Sequence, residues 1–376
     1  MNIADLPTPA ALIDTRRMQA NIRRMQNRMN ELGVAFRPHC KTSKCLDVAR
    51  AQVAAGAKGI TVSTLKEAEQ FFAGGFTDIT YAVGISGARL PQAQRLIQQG
   101  CALTIITDSV EAAQAVAGYG KANGVSFPVL IEIDTDGHRS GVTPEDANLI
   151  AIASALSQGG STVLGVLTHA GSSYDFSDPA VLEALAEQER AGCVRAAERL
   201  REAGFPCPVV SVGSTPTALY AKDLTGVTEV RAGVYVFFDL VMCNVGVCSP
   251  EDIALSVVAT VIGHQKEKGW AIVDAGWMAM SRDRGTARHG TDYGYGLVCG
   301  LDGGEIAGYI VSGANQEHGI ISLASGIDPH IADRFPIGCK LRILPNHACA
   351  TGAQFPEYYA LREDGTVATW PRFYGW

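Results

Sequence analysis

No run of about eighteen uncharged apolar residues occurs in the chain, so no segment is long enough to cross a bilayer as a helix. Met1 to Pro9 lacks both a basic and an apolar leader region, which makes the cytoplasm the expected location. There is no CxxC pair among the ten cysteines, and their spacing is irregular. That is a poor disulfide framework for a chain of this size, and the thiols read as reduced, mostly core filler. No GxGxxG follows the first strand, which removes the usual dinucleotide turn. Positive charge is scarce as well: 31 Lys and Arg face 38 Asp and Glu, for a net charge of -7. With both signs interspersed, the sequence offers no basic stripe to nucleic acid and no polybasic segment to a membrane, leaving a small molecule as the expected partner.

What is present fits a soluble globular enzyme: 376 residues, 47% hydrophobic, with 41 glycines for tight turns. Apolar or β-branched runs recur at Val34–Phe36, Gly59–Ser63, Asp78–Val83, Ala102–Thr107, Pro128–Ile133, Val163–Thr168, Val209–Val212 and Val227–Val236, with helix-like segments between most of them. Eight such repeats predict an α/β fold, a TIM-type (β/α)8 barrel over residues 16–243. Past Asn244 short alternating segments between glycine-rich turns predict an all-β domain over 244–376. The strand at Thr8–Asp14, within residues 1–15, precedes the barrel and is expected to pair with that β-domain.

In a barrel of this kind chemistry collects where strands end. The first strand end supplies His39 and Lys41, within Arg37-Pro38-His39-Cys40-Lys41-Thr42-Ser43-Lys44. Lysine condenses with carbonyls and gives up its proton when desolvated, so Lys41 is a candidate Schiff-base residue; the plainer reading is a loop charge. Other ends bring Ser63 and Thr64, then Asp134, Asp136, His138 and Arg139, then His169 and Tyr174. Gly213-Ser214-Thr215-Pro216-Thr217 can hold a phosphate on a helix N-terminus, or Ser214 can simply cap that helix. His347-Ala348-Cys349 sets an imidazole and a thiol two residues apart, good ligands for a divalent ion that would leave positions open to water and substrate. Arg139 and His169 also read as a rim charge and a satisfied buried histidine. Glu317-His318 reads either as a pair supporting a metal or as a turn.

Four runs together resemble one family: Arg37 to Lys44, Thr168-His169-Ala170-Gly171-Ser172-Ser173-Tyr174, Val212-Gly213-Ser214-Thr215-Pro216-Thr217, and Pro345-Asn346-His347-Ala348-Cys349-Ala350-Thr351. It is the fold-type III pyridoxal phosphate group with an alanine-racemase-like barrel, which contains D-threonine aldolases, D-serine dehydratases and D-threo-3-hydroxyaspartate dehydratase. The runs Asp134 to Gly141 and Glu229 to Asp239 look closest to the hydroxyaspartate dehydratases. The resemblance implies pyridoxal 5'-phosphate on Lys41, held by Tyr174, Gly213, Ser214, Thr215, Gly233 and Tyr235, with Arg139 and His169 as candidates around its ring. It also implies a divalent metal (Zn, Mn, Co or Mg) on His347 and Cys349, and a homodimer. D-threonine aldolases commonly carry His-x-Asp at the metal position, so Cys349 points toward the dehydratases.

The activity expected from this resemblance is dehydration of a D-3-hydroxy amino acid, foremost D-threo-3-hydroxyaspartate to oxaloacetate and ammonia, with D-serine giving pyruvate. Lys41 would serve as base at Cα, and the metal would assist departure of the β-hydroxyl. The alternative is retro-aldol cleavage of D-threonine or D-3-hydroxyaspartate to glycine and an aldehyde. A racemase would need a second base facing Lys41 and no metal, and His347-Ala348-Cys349 argues against it.

Overall fold

The computed structural model describes residues 2–376 and divides into two compact units. One covers Arg24–Gly233 and takes back Phe373–Trp376; the other runs to Arg23 and resumes over Val234–Arg372. The division therefore falls ten residues before the boundary expected at 243, and the last four residues join the first-named unit. The physical reason lies at the last barrel strand. The run Val227–Val236 is strand only over Glu229–Val230, and Val234–Val236 is already a turn of 3-10 helix.

The strands, in chain order, are β1 (Ala10–Asp14), β2 (Ala35–Phe36), β3 (Ile60–Val62), β4 (Asp78–Gly84), β5 (Ala102–Thr107), β6 (Pro128–Ile133), β7 (Thr162–Thr168), β8 (Val209–Val212) and β9 (Glu229–Val230). They continue as β10 (Leu255–Gln265), β11 (Trp270–Val273), β12 (Gly296–Cys299), β13 (Glu305–Ala314), β14 (Gly319–Leu323), β15 (Lys340–Pro345), β16 (Glu357–Leu361) and β17 (Val367–Pro371). Strands β2 to β9 form one eight-stranded sheet, parallel throughout, in the order β2-β9-β8-β7-β6-β5-β4-β3. The barrel is closed between β2 and β3 by a parallel bridge from His39 to Thr61. Lys58 N–H donates to Phe36 O, Thr61 N–H to Pro38 O and Cys40 N–H to Thr61 O, at 2.7, 2.8 and 2.8 Å. Closure is thus made two residues before Lys41.

Helices alternate with the barrel strands: α1 (Thr15–Glu31), α2 (Leu46–Ala54), α3 (Leu65–Ala73), α4 (Leu90–Gln98), α5 (Val110–Asn123), α6 (Asn148–Gln158), α7 (Pro179–Glu202) and α8 (Thr215–Tyr220). Their ends carry local signals. Ser109 caps α5 by accepting from Ala112 N–H and Gly124 closes it at φ +63, while Asp178 caps α7 with Pro179 at its first position. Strand β6 is buried from Val129 to Ile133 because helices cover a parallel barrel outside and side chains fill it inside, so its residues are apolar apart from Glu132, which pairs with Arg139.

The other unit is built on a nine-stranded sheet, β11-β14-β13-β12-β15-β10-β1-β16-β17, in which β10 also pairs with β11 and so curls six strands into a closed ring. All its pairings are antiparallel except β1 with β16. Ala11 and Leu12 lie opposite Val257 and Ser256 of β10, and Leu12 lies opposite Tyr359 of β16, so the N-terminal strand is part of this sheet. Among the described residues no helix is long and apolar enough to cross a membrane.

Candidate active site

Lysines 41 and 44 lie in one turn, and the structure tells them apart. Lys44 sits at φ +45, its N–H donating to Cys40 O, and its amine lies 3.0 Å from the buried Glu67 carboxylate. Glu67 also accepts from Ser63 N–H at 3.1 Å, so Lys44 is a fixed counter-ion. Lys41 is exposed and has no ion-pair partner among the described residues. A reactive amine must be free of such a partner to lose its proton and condense with a carbonyl.

The surroundings of Lys41 are cationic or neutral. His39 receives the Lys41 N–H on Nδ1 at 3.4 Å and meets Ser63 Oγ with Nε2 at 3.5 Å. Burial, then Lys41, Arg231 and His169, hold its pKa well below the usual histidine value. His169 places Nδ1 at 2.9 Å from Gly213 O; a carbonyl only accepts, so Nδ1 carries the proton and Nε2 keeps its lone pair. Burial, then the Lys41 charge, with Arg139 and Arg231 adding to it, push His169 down to about 3 despite the Gly213 bond.

Gly213 stands where β8 turns into α8, at φ +130, and a Cβ there would meet Arg231 O at 2.2 Å, so only glycine fits. Its N–H is not open to a ligand: it donates to Glu189 Oε1 at 2.9 Å. Glu189, buried on α7, also accepts from Ala170 N–H and Thr217 Oγ1, at 2.9 and 2.7 Å, and so ties the ends of β7 and β8 together. Ser214 caps α8 through Thr217 N–H and shares a 2.8 Å contact with Ser173 Oγ. The capping reading of this turn therefore holds, and the cap gathers the Ser214, Ser173 and Thr217 hydroxyls in one spot. Thr215 N–H faces Tyr174 OH at 3.5 Å, the outer limit for a hydrogen bond. Arg231, missed in the sequence, is buried, with Nη1 at 2.5 Å from Ser211 Oγ and Nη2 at 2.5 Å from Thr168 O.

Of the other candidates, Arg139 is 58% exposed and lies 3.4 Å from Glu132. Asp136 is taken by Ser172, whose N–H and Oγ both donate to it. Gly233 lies beside the lysine turn, where a Cβ would stand 3.1 Å from both His39 O and Thr42 Oγ1. Tyr235 falls in the other unit and is buried there.

In the β-rich unit, His347 stands at the N-terminal position of a short helix, Ala348–Gly352, just beyond β15, with its side chain free of any capping bond to that helix. Its Nδ1 lies 2.7 Å from Asp283 Oδ2, which leaves Nε2 as the ligating nitrogen. Asp239 is buried and accepts from Ala348 N–H at 2.9 Å. Burial alone would lower the His347 pKa, but Cys349, Asp283 and Asp239 outweigh it and push the pKa up to about 11. Asn346 fixes the loop from behind, donating to Asp283 O and Gly294 O and accepting from Thr286 Oγ1. Glu317 and His318 do not support this histidine: they form the exposed turn between β13 and β14, with His318 O accepting from Asn315 N–H. Asp283 takes that part. No spacing rule reaches across the 64 residues that separate it from His347, so the sequence alone did not show it.

The family profile "Alanine racemase, N-terminal domain" matches residues 13–241, and "Putative serine dehydratase domain" matches 254–361. The curated D-threo-3-hydroxyaspartate dehydratase of Delftia sp. (strain HT23) is 67% identical over 373 residues, 99% of this chain and 98% of that one. This chain belongs to the D-threo-3-hydroxyaspartate dehydratase family. The solved structure of the Delftia enzyme superposes with a TM-score of 0.99 at 66% identity, covering all of both chains. A cysteine-to-alanine variant of D-threo-3-hydroxyaspartate dehydratase, described as metal-free, superposes equally well, with TM-score 0.99, 66% identity and all of both chains covered.

The donor sets fit the two groups this dehydratase family implies. For pyridoxal phosphate there is an amine without a counter-ion, a glycine-floored turn that no Cβ could enter, and hydroxyls of Ser173, Ser214 and Tyr174 gathered beside it. For a divalent cation there is a nitrogen and a sulfur ligand set among carboxylates. Among the described residues no three His, Cys, Asp or Glu side chains are grouped to hold an ion.

Proposed function

We propose that the chain is a pyridoxal phosphate- and divalent metal-dependent dehydratase acting on D-3-hydroxy amino acids, foremost D-threo-3-hydroxyaspartate. The observation that carries this reading is the full-length likeness to D-threo-3-hydroxyaspartate dehydratase. The anionic surroundings of His347 support the metal.

Pyridoxal phosphate, when bound, accepts the electron pair left as a Cα–H bond breaks. Lys41 Nζ would hold it and, as a free amine, would take up the proton from Cα. His169 stays neutral at working pH and offers the Nε2 lone pair as an acceptor, while its Nδ1–H is committed to Gly213 O. Ser214, Thr215 and Tyr174 hold the phosphate, and Gly213 lets the chain pass close to it. His347 Nε2 and Cys349 Sγ would hold the cation, whose Lewis acidity would favour departure of the β-hydroxyl. Asp283 keeps the His347 ring oriented. The ten free cysteines fit a reducing, cytoplasmic setting, and a homodimer is part of the reading on the strength of the family resemblance.

Incubation of the cofactor- and metal-loaded protein with D-threo-3-hydroxyaspartate, D-serine and D-threonine tests the reading. Ammonia with a 2-oxo acid is expected, and glycine with an aldehyde would replace dehydration by aldol cleavage.

A further inference from the structure

Two of the cysteines read as filler are placed against each other. Leu240–Val245 forms a short helix capped by the Asp239 side chain and closed by Gly246 at φ +85. Gly246 N–H donates to Cys243 O at 2.9 Å and Val247 N–H to Met242 O at 3.2 Å, the paired bonds of a left-handed cap that reverses the chain. The reversal returns Cys248 to the helix it has just left, with its Sγ 3.4 Å from Cys243 Sγ. Both are half-buried, whereas Cys40, Cys45, Cys101, Cys193, Cys207 and Cys299 are buried.

We propose that Cys243 and Cys248 are a redox pair that closes into an intramolecular disulfide, with a low-molecular-weight disulfide as oxidant. Either thiol can begin the attack, since each lies 3.4 Å from the other and both are half-buried. With Cys243 first, its thiolate displaces one thiol from the oxidant to give a mixed disulfide; Cys248 then loses its proton, attacks Cys243 Sγ and releases the second thiol. Two electrons and two protons pass from the protein to the oxidant, which ends as two thiols.

Closure must bring the sulfurs from 3.4 Å to about 2.05 Å, and the turn that moves is tied to the His347 loop. Asp239 O accepts from Cys243 N–H at 3.0 Å, Asp239 Oδ2 accepts from Ala348 N–H at 2.9 Å, and Val241 N–H donates to Asn346 O at 3.2 Å. The disulfide therefore reports at residues 346–349. The site itself does not depend on the proposed activity.

The test treats the purified, metal-loaded full-length protein with glutathione disulfide, then maps peptides without reduction and follows amide hydrogen exchange. A 243–248 disulfide with the other eight thiols still open to alkylation after unfolding is expected. Glutathione should stay on Cys243 in Cys248→Ser and on Cys248 in Cys243→Ser, because the thiol that would displace it is missing. Exchange at 346–349 should change at least threefold in the oxidised wild type, revert with dithiothreitol, and stay constant in both serine variants. Capture of glutathione at Cys349 instead, or no internal disulfide, overturns the assignment; a disulfide without altered exchange overturns the link to the metal loop.

Discussion

His169 and His347, one in each unit, are held in opposite charge states by opposite company. Burial and the cations Lys41, Arg139 and Arg231 drive His169 down to about 3, while Cys349, Asp283 and Asp239 lift His347 to about 11 against the effect of burial. The barrel surrounds its histidine with positive charge, as a site for an anionic, phosphate-bearing group would. The β-rich unit surrounds its histidine with negative charge, and the proton it holds there occupies the place of a cation. Each neighbourhood thus favours a group of the opposite sign to its own charge.

The largest break in this comparison is expected at Lys41. Lys41→Ala should reduce kcat/KM by roughly four orders of magnitude, and borohydride reduction of the holoenzyme should no longer tag the 37–44 peptide. His347→Ala or Cys349→Ala should reduce turnover about a thousandfold, as should chelation of the wild type, with metal content by elemental analysis falling in parallel. Lys44→Met should leave borohydride tagging of Lys41 intact yet lower stability to urea by about 3 kcal/mol, because it strands the buried Glu67 carboxylate. Asp283→Asn should weaken metal binding about 10- to 100-fold in a chelator competition, with turnover at saturating metal much less affected.

The smallest effect is a pH dependence at His169. Its folded-state pKa lies below the ordinary value, so as pH falls below about 6.5 the unfolded chain takes up a proton that the native site refuses, and stability drops until about pH 3. After allowance for partial exposure this amounts to about 1 kcal/mol between pH 7.5 and 5. His169→Gln should flatten urea midpoints between those pH values by that amount; an unchanged slope would show that the cations around Lys41 do not act on this ring.

Strands and helices of the barrel were legible because each is a short local pattern, apolar runs for covered strands and capped periodic segments for helices. Lys41, His169 and the Gly213 turn were legible for a related reason: each stands just past a strand, where the barrel rule says to look. Arg231 was not, since its meaning depends on Ser211 and Thr168 from two other strands. Glu189 sits mid-helix, where a glutamate reads as a solvated face until the fold buries it among three donors. The compact units divide ahead of 243 because an apolar run continues through Val234–Val236 after the strand pairing has ended.

The seam between β2 and β3 gives the barrel a mechanical character of its own. Six residue pairs align β6 with β7, yet the ring is shut by a single bridge and three backbone bonds, all next to the turn that carries Lys41. Of all the junctions in the ring this one has the least to hold it, so local opening should begin there, and amide exchange at Cys40 and Thr61 should outpace that of β6. A ligand joined covalently to Lys41 and gripped by the Gly213 turn would instead tether the β2 side of this joint to β8, on the far side of β9, so loading the protein should slow exchange at Cys40 while leaving the β3 side of the seam to open.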